Sequence, residues 1–198
     1  DAYDGTVTLY QVDDQDPVLK AWMGVFPDAV TPQDQISDEL RSHFRYPEDL
    51  FKVQREMLAK YHVDDPREFF TNNAFWSVPS DPTVETTANQ PPYYVLIGDE
   101  ETARPSFRLT SAMVGFNRQF LSAYISVNSD PDNYGKFTIL RLPTDTQTFG
   151  PAQTQNAMIS DTRVASERTL LERSNRIQYG NLLTLPIAEG GILYVQPM

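Results

Sequence analysis

Helix-period and strand-period segments do not alternate along this chain. They come in blocks, and that ordering excludes most architectures. Helical signals fill roughly residues 31–71 and 151–174, while strand signals dominate 93–142 and 176–196. Runs of strands separated by clustered helices predict an α+β fold: a mainly antiparallel β-sheet with two clusters of α-helices packed on it, not a βαβ series. A chain of 198 residues with 40% apolar side chains is long enough to bury a real core, and one domain over 1–198 is expected. There is no internal repeat.

The local signals run in order. Asp4-Gly5 suits a two-residue hairpin turn, and Thr6–Val12 alternates as a strand, with Val7 and Leu9 on one face. Only Asp1-Ala2-Tyr3 precedes the turn, so the expectation is a hairpin cut inside its first arm. Residues 13–35 read as irregular structure around a short helical piece, Pro17–Val25. Thr31-Pro32 predicts a helix start, followed by Ile36, Leu40, His43 and Phe44 at helical spacing. Pro47 predicts a second helix with Leu50, Phe51, Met57, Leu58 and Tyr61 as its apolar stripe, and with Glu48–Lys52, Lys52–Glu56 and Glu56–Lys60 pairs on its wet face. Asp65-Pro66, with Glu68 three residues after the cap, predicts a third.

Four prolines make 77–92 a loop. Strands are predicted at Tyr93–Ile97, Phe107–Thr110, Leu121–Val127 and Lys136–Leu142, the last two joined by the turn-rich 128–135. Gly150-Pro151 opens a helical zone over 151–174, and strands at 176–179, 182–187 and 191–196 close the chain.

Charge narrows the partners. Acids outnumber bases by 27 to 16, and residues 1–99 carry the whole excess, with 18 acids against 7 bases. Such a surface is repelled by phosphate backbones, which argues against nucleic-acid binding. The absence of cysteine removes disulfides, thiolate metal sites and thiol nucleophiles. No apolar run approaches the ~18 residues of a membrane span.

Chemical signatures are sparse. There is no Gly-x-Ser-x-Gly, His-Glu-x-x-His, P-loop or Gly-x-Gly-x-x-Gly string. His43, on the apolar side of a helix, has packing as its default role, and His62, at a helix end, has dipole stabilisation. Asp130–Gly135 starts like a calcium loop but has Tyr134 at the fifth position and Arg141 at the twelfth, so it reads as a turn between strands. Asp13-Asp14-x-Asp16 is equally nonspecific. Pro91-Pro92-Tyr93-Tyr94 matches a Pro-Pro-x-Tyr ligand, but two prolines before a strand explain it as well. The acid pairs Glu100-Glu101 and Asp64-Asp65 are adjacent, and adjacent side chains seldom converge on one substrate atom. No catalytic, cofactor-binding or metal-ligating residue is assigned, and no cofactor is expected.

Several strings occur together: Asp1–Tyr10, Arg45–Phe51 with Gln54-Arg55, Tyr61-His62, Leu109–Ser111, Ser129–Pro131, Tyr134–Lys136, Leu140–Pro143, Gly150-Pro151 and Tyr179–Pro186. In this order they resemble a family of large, functionally uncharacterised membrane proteins of actinobacteria and cyanobacteria, over essentially the whole chain. The resemblance implies a soluble, extracytoplasmic part of a multi-pass membrane protein, with the membrane-spanning region of its own parent chain as a partner, and an envelope protein or small ligand as another. It implies no catalytic residue. The leading expectation is therefore a non-catalytic domain that binds a partner or ligand or supports envelope assembly. The rival is an envelope hydrolase with a carboxylate- or Ser-based site, and a third reading is a cation-dependent adhesion or sensor domain. A deep pocket with convergent carboxylates would favour the enzyme; a broad apolar patch with a polar rim would favour the binding module.

Overall fold

Proline and aspartate set most helix starts in this chain. The computed structural model describes residues 1–98, 104–187 and 190–198, which form two compact units, Asp1–Arg45 and Tyr46–Met198.

In the first unit, β1 (Leu9–Tyr10) pairs in parallel with β2 (Val30–Thr31), and α1 (Pro17–Val25) lies between them in sequence. Asp16 caps α1 by accepting from the Val18 and Leu19 amides, with Pro17 at the first helical position. The strand expected over Thr6–Val12 is confined to Leu9–Tyr10, because its partner β2 is only two residues long. Gly5 turns the chain with φ +76° and donates its N–H to the Asp1 carbonyl.

The helix expected from Thr31-Pro32 starts later. Thr31 belongs to β2, and a 3₁₀ turn covers Gln33–Gln35. α2 (Asp38–Ser42) begins only after Ser37, whose side chain accepts from the Leu40 amide. Ser37-Asp38-Glu39 is a better start than Thr31-Pro32, since it places both the hydroxyl cap and two acids at the N-terminus. His43 thus falls at the C-cap and is exposed, so it does not take the packing role expected of it.

The second unit holds α3 (Glu48–Tyr61), α4 (Pro66–Thr71), β3 (Trp76–Ser77), β4 (Tyr93–Gly98), β5 (Pro105–Gly115), β6 (Leu121–Asn128), β7 (Phe137–Arg141), α5 (Pro151–Ser160), α6 (Thr162–Glu172), β8 (Leu183–Ile187) and β9 (Gly191–Val195). β5, β6 and β7 form an antiparallel meander. β3 and β4 share the other edge of the long strand β5: β4 pairs with Pro105–Thr110 and β3 with Val114–Gly115. β8 and β9 make a separate antiparallel hairpin. This is the expected α+β class.

Alternation along the strands decides which face is dry. Leu109, Met113, Ala123, Ile125 and Val127 are buried on one face, joined by Phe137 and Ile139 of β7. α3 packs there. Phe51 stacks on Phe137 with ring centroids 5.9 Å apart, and Ala59 and Leu58 complete the contact. The buried side of α3 is Phe51–Arg55–Ala59, spaced by four, while Leu50, Met57 and Tyr61 of the expected stripe are exposed. Lys52 does bridge Glu48 at 2.7 Å as expected and also reaches Asp49.

The helical zone at 151–174 is two helices. Asp161 ends α5 and caps α6, accepting from the Arg163 and Val164 amides. The strand expected at 176–179 does not form; Gly180 instead donates its N–H to the Pro197 carbonyl at 2.9 Å. Among the described residues, no helix is long and apolar enough to cross a membrane.

Candidate functional site: a polar cleft above the second sheet face

The face of the sheet turned away from α3 carries polar side chains. Thr110 on β5 and Tyr124, Ser126 and Asn128 on β6 alternate with the core residues and are themselves buried. Over this face lies an open cleft of about 930 Å³, bounded by β5–β7, the end of β4 and the tip of the β8–β9 hairpin. Its lining falls into two chemistries. Arg108, Tyr124, Ser126, Asn128, Lys136 and Thr138 supply hydrogen-bonding and cationic groups, and Ile97, Leu140, Leu142, Pro186, Ile187 and Ile192 supply apolar surface. No carboxylate is among the described lining residues. Arg108 Nε donates to Ser106 Oγ at 2.6 Å. A volume of this size with mixed lining matches sites that hold small organic ligands.

At the rear of this face the edge of β5 is interrupted. Pro91 and Pro92 have no amide proton, so the β4 ladder stops at Tyr93↔Thr110, and β3 resumes only at Val114. Side chains fill the gap. Arg55 Nη1 donates to the Gln90 carbonyl at 3.1 Å and to Ser111 Oγ at 2.9 Å. Gln90 Nε2 in turn donates to the Leu182 carbonyl at 3.0 Å, tying in the chain that leads to β8. Gln90 and Ser111, with Tyr93, Tyr124 and Thr184, line a cavity of about 10 Å³, room for one water-sized group.

The hydroxyls of Tyr93, Tyr124 and Thr184 are buried without a hydrogen-bond partner among the described residues. Burial pushes the Tyr93 and Tyr124 phenols up to about 12; Thr110 near Tyr124 and Gln90 near Tyr93 oppose this without reaching good hydrogen-bond geometry. Arg55 is a buried guanidinium among neutral oxygens, and burial lowers its pKa, opposed by the charges of Glu56 and Glu48.

The residues singled out in the sequence do not converge on this site. His62 ends α3 with its ring nitrogens 2.7 and 3.1 Å from the Leu58 and Ala74 carbonyl oxygens, stacked on Trp76 at 3.5 Å. Asp130–Gly135 is a strand-connecting turn. Asp130 Oδ2 accepts from the Phe107 amide, Pro131–Asn133 forms a 3₁₀ turn, and Gly135 adopts φ +79°. In Pro91-Pro92-Tyr93-Tyr94, Pro92 is buried and the Tyr94 hydroxyl donates to the Tyr46 carbonyl, so the string is part of the sheet. Asp13 and Asp16 accept from nearby amides in local turns, and Asp65 caps α4. Glu100-Glu101 lies outside the described residues. Among the described residues, no group of three or more His, Asp or Glu is placed to hold a metal ion. Sequence reasoning missed Arg55 and the polar face. The signal was present in Leu121–Asn128, where Ser122, Tyr124, Ser126 and Asn128 alternate with apolar residues.

Comparison with known proteins gives one consistent family. The model of an uncharacterised protein family, UPF0182, matches residues 1–171. A UPF0182 protein of Rhodococcus jostii (strain RHA1) is 83% identical over 198 residues, covering 100% of this chain and 20% of that relative. Those of Nocardia farcinica and Mycobacterium tuberculosis are 78% and 74% identical with the same coverage. The chain therefore spans 20% of the length of the curated relatives it matches. No solved structure matches it.

Proposed function

Since the chain belongs to the uncharacterised protein family UPF0182, we propose that it is a non-catalytic binding domain of a longer bacterial membrane protein, working on the extracytoplasmic side. The cleft carries this reading. Its floor carries neutral hydrogen-bonding groups, and its walls carry aliphatic side chains, which is how a site holds a ligand with one polar and one apolar part. Among the described lining residues no two carboxylates pair for acid–base work. The extracytoplasmic side rests on the resemblance to multi-pass membrane proteins.

The test is native mass spectrometry and thermal shift of the chain against fractionated polar lipids and glycans of an actinobacterial envelope. A fraction should raise the melting temperature of the wild type and not of Thr138→Trp, which fills the cleft. Val53→Trp, on the exposed side of α3, should respond like wild type. If no fraction shifts the wild type, or if Thr138→Trp responds equally, the cleft is not a binding site. For the location, Val53→Cys in the parent protein is treated with a membrane-impermeant maleimide in intact cells, and labelling above that of the unsubstituted parent is expected. Labelling only after lysis would overturn the extracytoplasmic placement.

A further inference from the structure

The first unit buries little of its apolar surface: Ile36 is its one buried hydrophobic side chain. α1 concentrates the exposed remainder. Val18, Trp22, Val25 and Phe26 recur at i, i+4, i+7 and i+8, so they form one face, and they are 64%, 59%, 68% and 49% exposed. The Trp22 and Phe26 rings stack with centroids 5.4 Å apart and planes 24° apart, which holds a flat aromatic surface in place. The adjacent Leu19 and Met23 are only half-buried. A helix with this much apolar circumference is the pattern of an element that something covers.

The rim says what kind of surface fits. Asp13, Asp14 and Asp16 precede α1 and Asp28 follows it, while Lys20 is the one base before Arg41. Acids flanking an aromatic helix at both ends repel anionic lipid and phosphate and complement an apolar segment flanked by Lys or Arg. A longer parent leaves room for such a segment, because the matched stretch is only 20% of the length of the relative that is 83% identical. We propose that the Val18–Trp22–Val25–Phe26 face is an intramolecular docking surface that seats an apolar, basic-flanked segment of the longer parent protein lying outside these 198 residues. Nothing in this docking depends on the cleft.

The experiment uses the full-length parent with a benzophenone amino acid at Trp22 or at Val25, expressed in light and heavy isotopic forms and mixed before irradiation. Cross-links should join position 22 or 25 to one peptide outside the 198 residues, within light or within heavy chains only. Mixed light–heavy products would assign the face to a second copy, and adducts only to lipid would assign it to a bilayer surface. Either result, or no adduct, overturns the proposal. A second readout is amide exchange of peptide 17–26 in the full-length protein. Trp22→Ser should accelerate it about tenfold and Trp22→Phe should not. Equal exchange in all three proteins would also overturn it.

Discussion

Replacing Arg55 tests how α3 is held to the sheet. The residue is 3% exposed, donates only to the Gln90 carbonyl and Ser111 Oγ, and has no carboxylate partner among the described residues. Arg55→Ala removes two buried methylenes, about 1.6 kcal/mol of transfer energy before any cavity cost. It also strands the Gln90 carbonyl, at about 1–3 kcal/mol. The cavity left behind offsets the relief of no longer burying the cation, so the net loss is about 3–5 kcal/mol. Arg55→Met leaves the same carbonyl without its donor but keeps the aliphatic volume. It also removes a buried cation whose desolvation no carboxylate offsets, so the net loss should be about 1 kcal/mol or less. Urea unfolding followed by tryptophan fluorescence measures both, with stability read from midpoints at a common slope. The Met variant should fall between the Ala variant and wild type, closer to wild type. If Met and Ala are equally destabilised, the positive charge itself is required, and the account of Arg55 as a space-filling donor in the gap of the β5 edge is wrong.

Three tyrosines should titrate late. Burial raises Tyr93, Tyr124 and Tyr194 to about 12 against an ordinary value near 10. The unfolded chain therefore loses these protons first, so stability is intact below pH 10 and falls between pH 10 and 12. Absorbance at 295 nm should show these three phenols ionising only near pH 12 or on alkaline unfolding, and ionisation of all ten tyrosines together near pH 10 would contradict it. Gly150→Ala should be severely destabilising, by about 2 kcal/mol or more. The added Cβ would stand 2.1 Å from the Gln119 carbonyl oxygen, a backbone atom that cannot swing aside; an unchanged melting temperature would disprove it. Gly135→Ala meets only Tyr46 at 3.7 Å, but its φ of +79° is costly for alanine, so a loss of about 1 kcal/mol is expected in the same melt.

The α+β class was legible because block order and strand alternation are local properties, and β4 and β6–β9 appear close to where alternation placed them. β5 runs further than expected, to Gly115, because Ser111–Val114 continue the ladder with β6 and the last two residues also pair with β3, a two-residue strand too short to leave a period. The buried stripe of α3 was misassigned for a related reason. Arg55 occupies a core position, and a hydropathy pattern reads an arginine as solvent-facing even when backbone carbonyl and hydroxyl groups receive it. The break at Asp161 was missed although Asp161-Thr162 is a capping sequence, since Met158, Ile159 and Val164 kept a helical rhythm across it. The cleft was not legible because β4, β5–β7 and β8–β9 contribute to it from distant parts of the chain.

The β5–β6–β7 meander also sets an order of events in time. β5 and β6 are joined by the five residues Phe116–Phe120, closed by the Gly115 amide on the Phe120 carbonyl and by Asn117 at φ +56°. β6 and β7 are joined by 129–136. Both pairings need only short loops to close, at small entropic cost. The contacts that seal the rear of the sheet are far more remote: Arg55 to Ser111 spans 56 residues and Gln90 to Leu182 spans 92. The meander is thus the natural nucleus, with α3 and then the β8–β9 hairpin condensing onto it. The cleft, which needs the hairpin above the sheet, is expected to be completed last.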